Sequence, residues 1–334
     1  MKFASAALLR CCLAIGVLAL AGPVLGPVIV GPAVAGSSRP LCASVDYNAM
    51  ILEIIKGMPK GGGYTLSTSE LQLPDIAVND AGNGQWEMTV KDGMPSHCTS
   101  ATYTVFAHLI AVLHNSGRIP LSQLDLQSVA INRTLPDGRS RMEGEGLFGI
   151  FNSNGAGAAA LVKHTGTGVS FRDDHFAYAR PGDFLKLFWN ENVGASESGH
   201  QVVYLGHKTE KGRDFVCFWA SQRQKTKKRA GGTEPLYFPM VEGEKVVNGY
   251  GQVCRPREDI KAMVFTRITC MERFSDGLAS MAQRASDRGG IPDLFVDDYL
   301  HSLQSKSSDH ATLNRMYDIW QAPTAFADIM GTHN

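Results

Sequence analysis

Apolar residues recur at different rhythms along this chain. In residues 43–56, Met50, Ile51, Ile54 and Ile55 fall on one helical face, and Gly57 is placed to cap the helix end. A second helical pattern follows Pro95-Ser96-His97-Cys98. There Val105, Leu109, Val112 and Leu113 recur at helical spacing and Gly117 closes the segment. Cys98 is therefore expected at or just before the first turn of a strongly apolar helix. Residues 64–90 between them are short-patterned and turn-rich, which predicts loops with room for one strand.

Beyond the turn Pro181-Gly182-Asp183 the pattern changes to short apolar runs. Phe184 to Trp189, His200 to Gly206, and residues 214–220 and 261–270 read as strands. The connections are too short for parallel crossovers, so an antiparallel sheet is expected. From Asp276 onward helical segments return around 276–288, 293–304 and 309–321, separated by Gly289-Gly290 and Lys306-Ser307-Ser308. The fold class implied is α+β, with a helical C-terminal extension over residues 273–334. No internal repeat is visible.

The first residues read as an export signal. Positive charge at Lys2 and Arg10 precedes an uncharged run from Cys11 to Ala35, which ends Ala33-Val34-Ala35 before Gly36. Pro23, Pro27 and Pro32 weaken the run as a lasting membrane helix. Residues 1–35 are thus expected to be a signal peptide. Its removal would leave a periplasmic or secreted protein with no stable membrane insertion. Among the 334 residues, 32 Lys+Arg balance 32 Asp+Glu, so no electrostatic reason exists to expect a nucleic-acid partner. The basic cluster Lys225, Lys227, Lys228 and Arg229 reads as a solvated loop.

Cysteine arithmetic narrows the chemistry. Of seven cysteines, Cys11 and Cys12 leave with the signal, and five remain: Cys42, Cys98, Cys217, Cys254 and Cys270. In an oxidising compartment an odd number leaves one thiol over. Cys254–Cys270 and Cys42–Cys217 are the expected pairs, with Cys98 free. A thiol at a helix start benefits from unpaired N–H groups and a partial positive charge, which favour the reactive thiolate. An imidazole nearby would take its proton and return it to a leaving amine. His200 is the candidate base, because Gly199-His200 opens a strand after a polar loop. His97 is a weaker second candidate.

Other tempting readings carry less. The glycine-rich stretch 143–168 lacks the Gly-Lys-Ser/Thr ending of a phosphate loop, and a substrate-facing loop bearing Asn152 and Asn154 is expected instead. Trp189 joins them as a cleft-lining candidate. His164, His175 and His207 invite a zinc reading, but neither HExxH nor CxxC is present, so no metal and no cofactor are expected.

The order of these elements is similar to that of the NlpC/P60 superfamily, papain-like proteins that include the CHAP amidases. The likeness rests on Cys98 at a helix start, Pro181-Gly182-Asp183 with its strand, and Gly199 through Gly206, and it covers roughly residues 90–225. It differs at the cysteine, flanked here by His97 and Thr99-Ser100 where family members often carry Asp and Ser-Gly. The resemblance implies a papain-like catalytic domain over 36–272 that hydrolyses amide bonds in peptidoglycan peptides or a peptide substrate. It also implies a third polar group on the strand after His200. Ser221 and Gln222 are the candidates, with Asp214 in reserve; Gln222 is preferred because its amide oxygen can accept the Nδ1–H bond. Acyl transfer by the same dyad and a non-catalytic cell-wall binding module are the alternatives.

Overall fold

In the computed structural model, Cys42 and residues 44–131, 146–152, 157–190 and 197–287 are described, all within the unit Arg39–Asn334. The segment before the sheet supplies α1 (Tyr47–Gly57), β1 (Gly61–Gly62), a hairpin of β2 (Asp75–Gly82) and β3 (Gln85–Lys91), and α2 (Cys98–Asn115). Short helices follow: α3 (Gln123–Val129), α4 (Gly146–Phe151) and α5 (Ala158–Thr165). The strands are then β4 (Gly168–Arg172), β5 (Phe184–Phe188), β6 (His200–Glu210), β7 (Arg213–Gln222), β8 (Thr226–Arg229), β9 (Gly232–Pro235), β10 (Phe238–Pro239), β11 (Gly249–Pro256) and β12 (Ala262–Ile268). Helix α6 (Phe274–Asp287) is the last described element. The expected signal peptide and the segments at 293–304 and 309–321 lie outside the described residues.

The main sheet runs β1-β11-β7-β6-β5-β12-β4, with β10 added beside β11, and its ladders are antiparallel. Alternation along each strand divides the apolar side chains between two cores. Phe184, Phe188, Val203 and Trp219 face the helices, whereas Leu185, Leu187, Val202, Tyr204, Val216 and Phe218 fill the opposite side. Helix α2 lies at the centre of the helical layer, with 13 of its 18 residues buried. A helix buried nearly all round has no solvated stripe, which accounts for its almost uncharged sequence. Phe274, Leu278 and Met281 of α6 pack into that same core, the Phe106 and Phe274 rings 6.1 Å apart.

Several expectations need correcting. Residues 64–90 contain two strands, not one at most, because Asn83 (φ 54°) and Gly84 (φ 73°) form the two-residue turn that Asn-Gly favours in hairpins. The disulfides are Cys42–Cys270 and Cys217–Cys254. Strand register overrides closeness in sequence: Cys217 on β7 is the direct partner of Cys254 on β11. Cys270 is left for Cys42, and their bond ties the segment before α1 to the turn before α6. The basic cluster is not a solvated loop either. It forms the β8–β9 hairpin, and Lys227 and Arg229 reach Asp259 at 2.6 and 2.7 Å.

The Pro181-Gly182-Asp183 turn owes its place to a buried carboxylate. Asp183 is fully buried and takes Arg267 Nε at 2.8 Å and a second guanidinium nitrogen at 2.7 Å. Asn48 Nδ2 and the Arg180 amide, each at 2.8 Å, satisfy the remaining lone pairs. The motif thus locks the entry of β5 to β12 and α1.

Candidate active site

Helix α2 begins at Cys98 because the chain is capped one residue earlier. His97 has extended backbone angles and its Nδ1 accepts the Ser100 amide at 3.0 Å. That bond meets one of the four N–H groups that no intrahelical carbonyl can reach, as a Ser or Asp cap would. It commits the Nδ1 of His97 to the helix end. The ring lies against Phe148, centroids 6.3 Å apart. Among the described cysteines Cys98 is the free one, and it is half-buried.

The sheet opens where this helix starts. The β6–β7 ladder runs from Glu210–Arg213 to Val203–Trp219 and stops. Beyond that point β6 pairs with β5 alone, through Leu187–His200, and β7 pairs with β11, through Gln222–Gly249. A cavity of about 1040 Å³ fills the parting and is lined by Cys98, His200, Gln222, Asn152 and Trp189. Five of the six predicted site residues therefore share one cleft; Asn154 lies outside the described residues.

His200 comes from the sheet face opposite α2. Its ring lies 5.8 Å from Phe218, 6.0 Å from Trp189 and 6.2 Å from Tyr237. It is 6% exposed, and among the described residues its Nε2 has no hydrogen-bond partner. Burial alone would push the Cys98 thiol up. The nearby His200 side chain, with smaller contributions from His97 and Lys186, outweighs burial and pulls the thiol down to about 5. Near neutrality this environment favours a thiolate beside an imidazole.

The expected third group is not arranged as the sequence suggested. Both amide atoms of Gln222 are buried and, among the described residues, have no hydrogen-bond partner, so its oxygen does not bond the His200 ring. Ser221 donates its hydroxyl to the Ser96 carbonyl at 3.2 Å. Asp214 accepts from Thr209 at 2.6 Å. It pairs with Thr209 at the far end of the ladder, about 30 Å along β6 from His200 at ~3.3 Å per residue. Packing by Trp189, Phe218 and Tyr237 restrains the imidazole instead.

Sequence reasoning overlooked two buried cations in the cleft. Lys186 is 4% exposed on β5, and burial lowers its pKa while Cys98 and Glu197 oppose that shift. Arg255 is 6% exposed, its guanidinium 4.7 Å from the centre of the Trp189 ring and 3.3 Å from Asp259. The available signal was a lone charge inside an apolar strand, as in Phe184-Leu185-Lys186-Leu187-Phe188. Among the described residues no group of three or more His, Cys, Asp or Glu is placed to hold a metal.

Comparison with protein families, with characterised proteins and with solved structures finds no match to this chain. The functional reading therefore rests on the geometry of the cleft.

Proposed function

We propose that the protein is a cysteine hydrolase of amide bonds, with Cys98 as nucleophile and His200 as general base, on a divergent papain-like scaffold. One observation carries this reading: a free, half-buried thiol at a helix start shares a large cleft with a buried imidazole that draws its pKa down to about 5. A structural cysteine in an apolar core would be shifted the other way.

In the proposed reaction the Cys98 sulfur forms a bond to the amide carbonyl carbon and the carbonyl π pair moves to oxygen. The backbone amides of Cys98 and Thr99, in the first turn of α2, have no intrahelical acceptor and would stabilise that oxyanion. His200 gives the thiol's proton to the leaving amine as the C–N bond breaks, leaving a thioester. Water, deprotonated by the same imidazole, then displaces the sulfur and releases the acid. The substrate we infer is a peptidoglycan peptide, processed outside the inner membrane. The order of elements shared with NlpC/P60 proteins and the two disulfides support that assignment.

Digestion of purified peptidoglycan by the wild type and by Cys98→Ala, followed by mass analysis, tests the reading. New fragments carrying fresh amino and carboxyl ends are expected from the wild type alone. Identical patterns from the two proteins would overturn it for this substrate.

A further inference from the structure

We propose that Lys186 forms an anion subsite in the Cys98 cleft, which receives a carboxylate carried by the acyl donor. The inference rests on Cys98 being the nucleophile and adds the chemical class of its substrate.

Strand alternation puts Lys186 with Phe184 and Phe188 on the side of the sheet that α2 covers, and its side chain lines the cavity with Cys98. A buried ammonium is expected to have an anionic partner, since desolvation without one is costly. Among the described residues Lys186 makes no ion pair or hydrogen bond. Glu197, the nearby buried acid, is already occupied. Its oxygens take the Gly199 amide at 2.7 Å, Asn190 Nδ2 at 3.1 Å and the Trp189 amide at 3.3 Å. The Cys98 thiolate is matched by His200. Glu197 and the Cys98 sulfur thus act on Lys186 only at a distance, and the ammonium's donors are left open to the cleft.

The surroundings leave the ammonium little freedom. A Cβ on Gly199 would lie 2.7 Å from Lys186 Cε, and one on Gly157 would lie 3.2 Å from its Cδ, so two glycine backbones hold the stem. Of the other cations in the lining, Arg255 is paired with Asp259, while Arg223 and Lys225 stand nearer the rim. Glu70 is the acid among the described lining residues, and it accepts from Thr65 at 2.9 Å. A single ammonium with rotatable donors suits a carboxylate; phosphate recognition more often enlists arginine forks or backbone nests.

Alkylation with two isosteric reagents tests this without the natural substrate. In both, the Cys98 sulfur bonds to the methylene carbon and iodide leaves; iodoacetate bears a carboxylate and iodoacetamide does not. The rate ratio, acetate over amide, is normalised to that of the urea-unfolded chain, which cancels the thiolate population. We expect an excess of about tenfold in the wild type, or ~1.4 kcal/mol, saturable in iodoacetate and lost in Lys186→Met. Succinate should protect the wild type from iodoacetamide, a readout that needs no variant. A wild-type ratio equal to that of the unfolded chain overturns the subsite and leaves the nucleophile standing. An excess that survives Lys186→Met, or protection by inorganic phosphate and not by succinate, also overturns it. Failure of both reagents to label folded Cys98 overturns the nucleophile and this inference together.

Discussion

His97 Nδ1 accepts the Ser100 amide at 3.0 Å, so the residue before the candidate nucleophile is the cap of its helix. His97 also contributes to lowering the Cys98 thiol. His97→Ala should cost about 1 kcal/mol, the usual loss for an N-cap, read as a lower urea midpoint. His97→Asn should recover the stability and not the reactivity: in both variants the midpoint of Cys98 alkylation should move upward in pH.

The pH dependence of that alkylation has a definite sign. With the thiol held near 5, the thiolate is half-formed there and nearly complete by neutrality. The rate with iodoacetamide should be flat from about pH 6.5 to 8.5 and fall about tenfold per unit below 5, since each unit below the pKa removes nine-tenths of the anion. His200→Ala removes the largest influence opposing burial. Its midpoint should rise to the ordinary thiol range near 8.5 or beyond. A midpoint left near 5 in that variant would sever the link between the two residues.

Asp183 tests the scaffold separately from the chemistry. Its carboxylate is fully buried and bidentate with Arg267. Asp183→Ala strands a buried guanidinium and should cost about 3–5 kcal/mol. The double replacement Asp183→Leu with Arg267→Met should recover much of that loss, because neither charge is then left buried alone. Chemical denaturation of the three variants measures both effects.

These residues show what a linear reading can and cannot reach. The α2 start was legible because an apolar helical period meets a run of small polar residues at Ser96 to Ser100, and β5, β6, β7 and β12 followed from short apolar runs. The Asn83-Gly84 turn carried its own signal, which the turn-rich text around it obscured. Disulfide partners were not legible: Cys217 meets Cys254 through a β7–β11 register that no local pattern encodes. Gln222 was placed in the right cleft with the wrong task, because only the parting of β6 and β7 beyond Val203–Trp219 separates it from the imidazole. Lys186 was not legible as a cleft residue, because the glycines that hold its stem come from other parts of the chain.

The two disulfides should differ in weight. Cys42–Cys270 spans 228 residues of sequence and Cys217–Cys254 spans 37. On the chain-entropy account a longer closed loop restrains the unfolded state more, and the difference here is about 1.6 kcal/mol. Replacing Cys42 and Cys270 with serine should therefore lower the unfolding free energy by more than replacing Cys217 and Cys254. Both double variants should keep a single fast-alkylating thiol, identified by mass as Cys98. Equal losses would show that native-state packing, not loop closure, sets the effect.

Gln222 distinguishes a ring-orienting amide from a cleft-lining one. An amide buried with neither atom paired forgoes its hydrogen bonds to water, a cost of about 1–3 kcal/mol that an apolar side chain of similar shape avoids. Gln222→Met should therefore be as stable as the wild type or more so, by about 1 kcal/mol. If packing alone restrains His200, the alkylation midpoint should stay near 5 in this variant, and any loss on peptide substrates should appear in KM. A midpoint that climbs with Gln222→Met would instead mean that the amide orients the imidazole in solution.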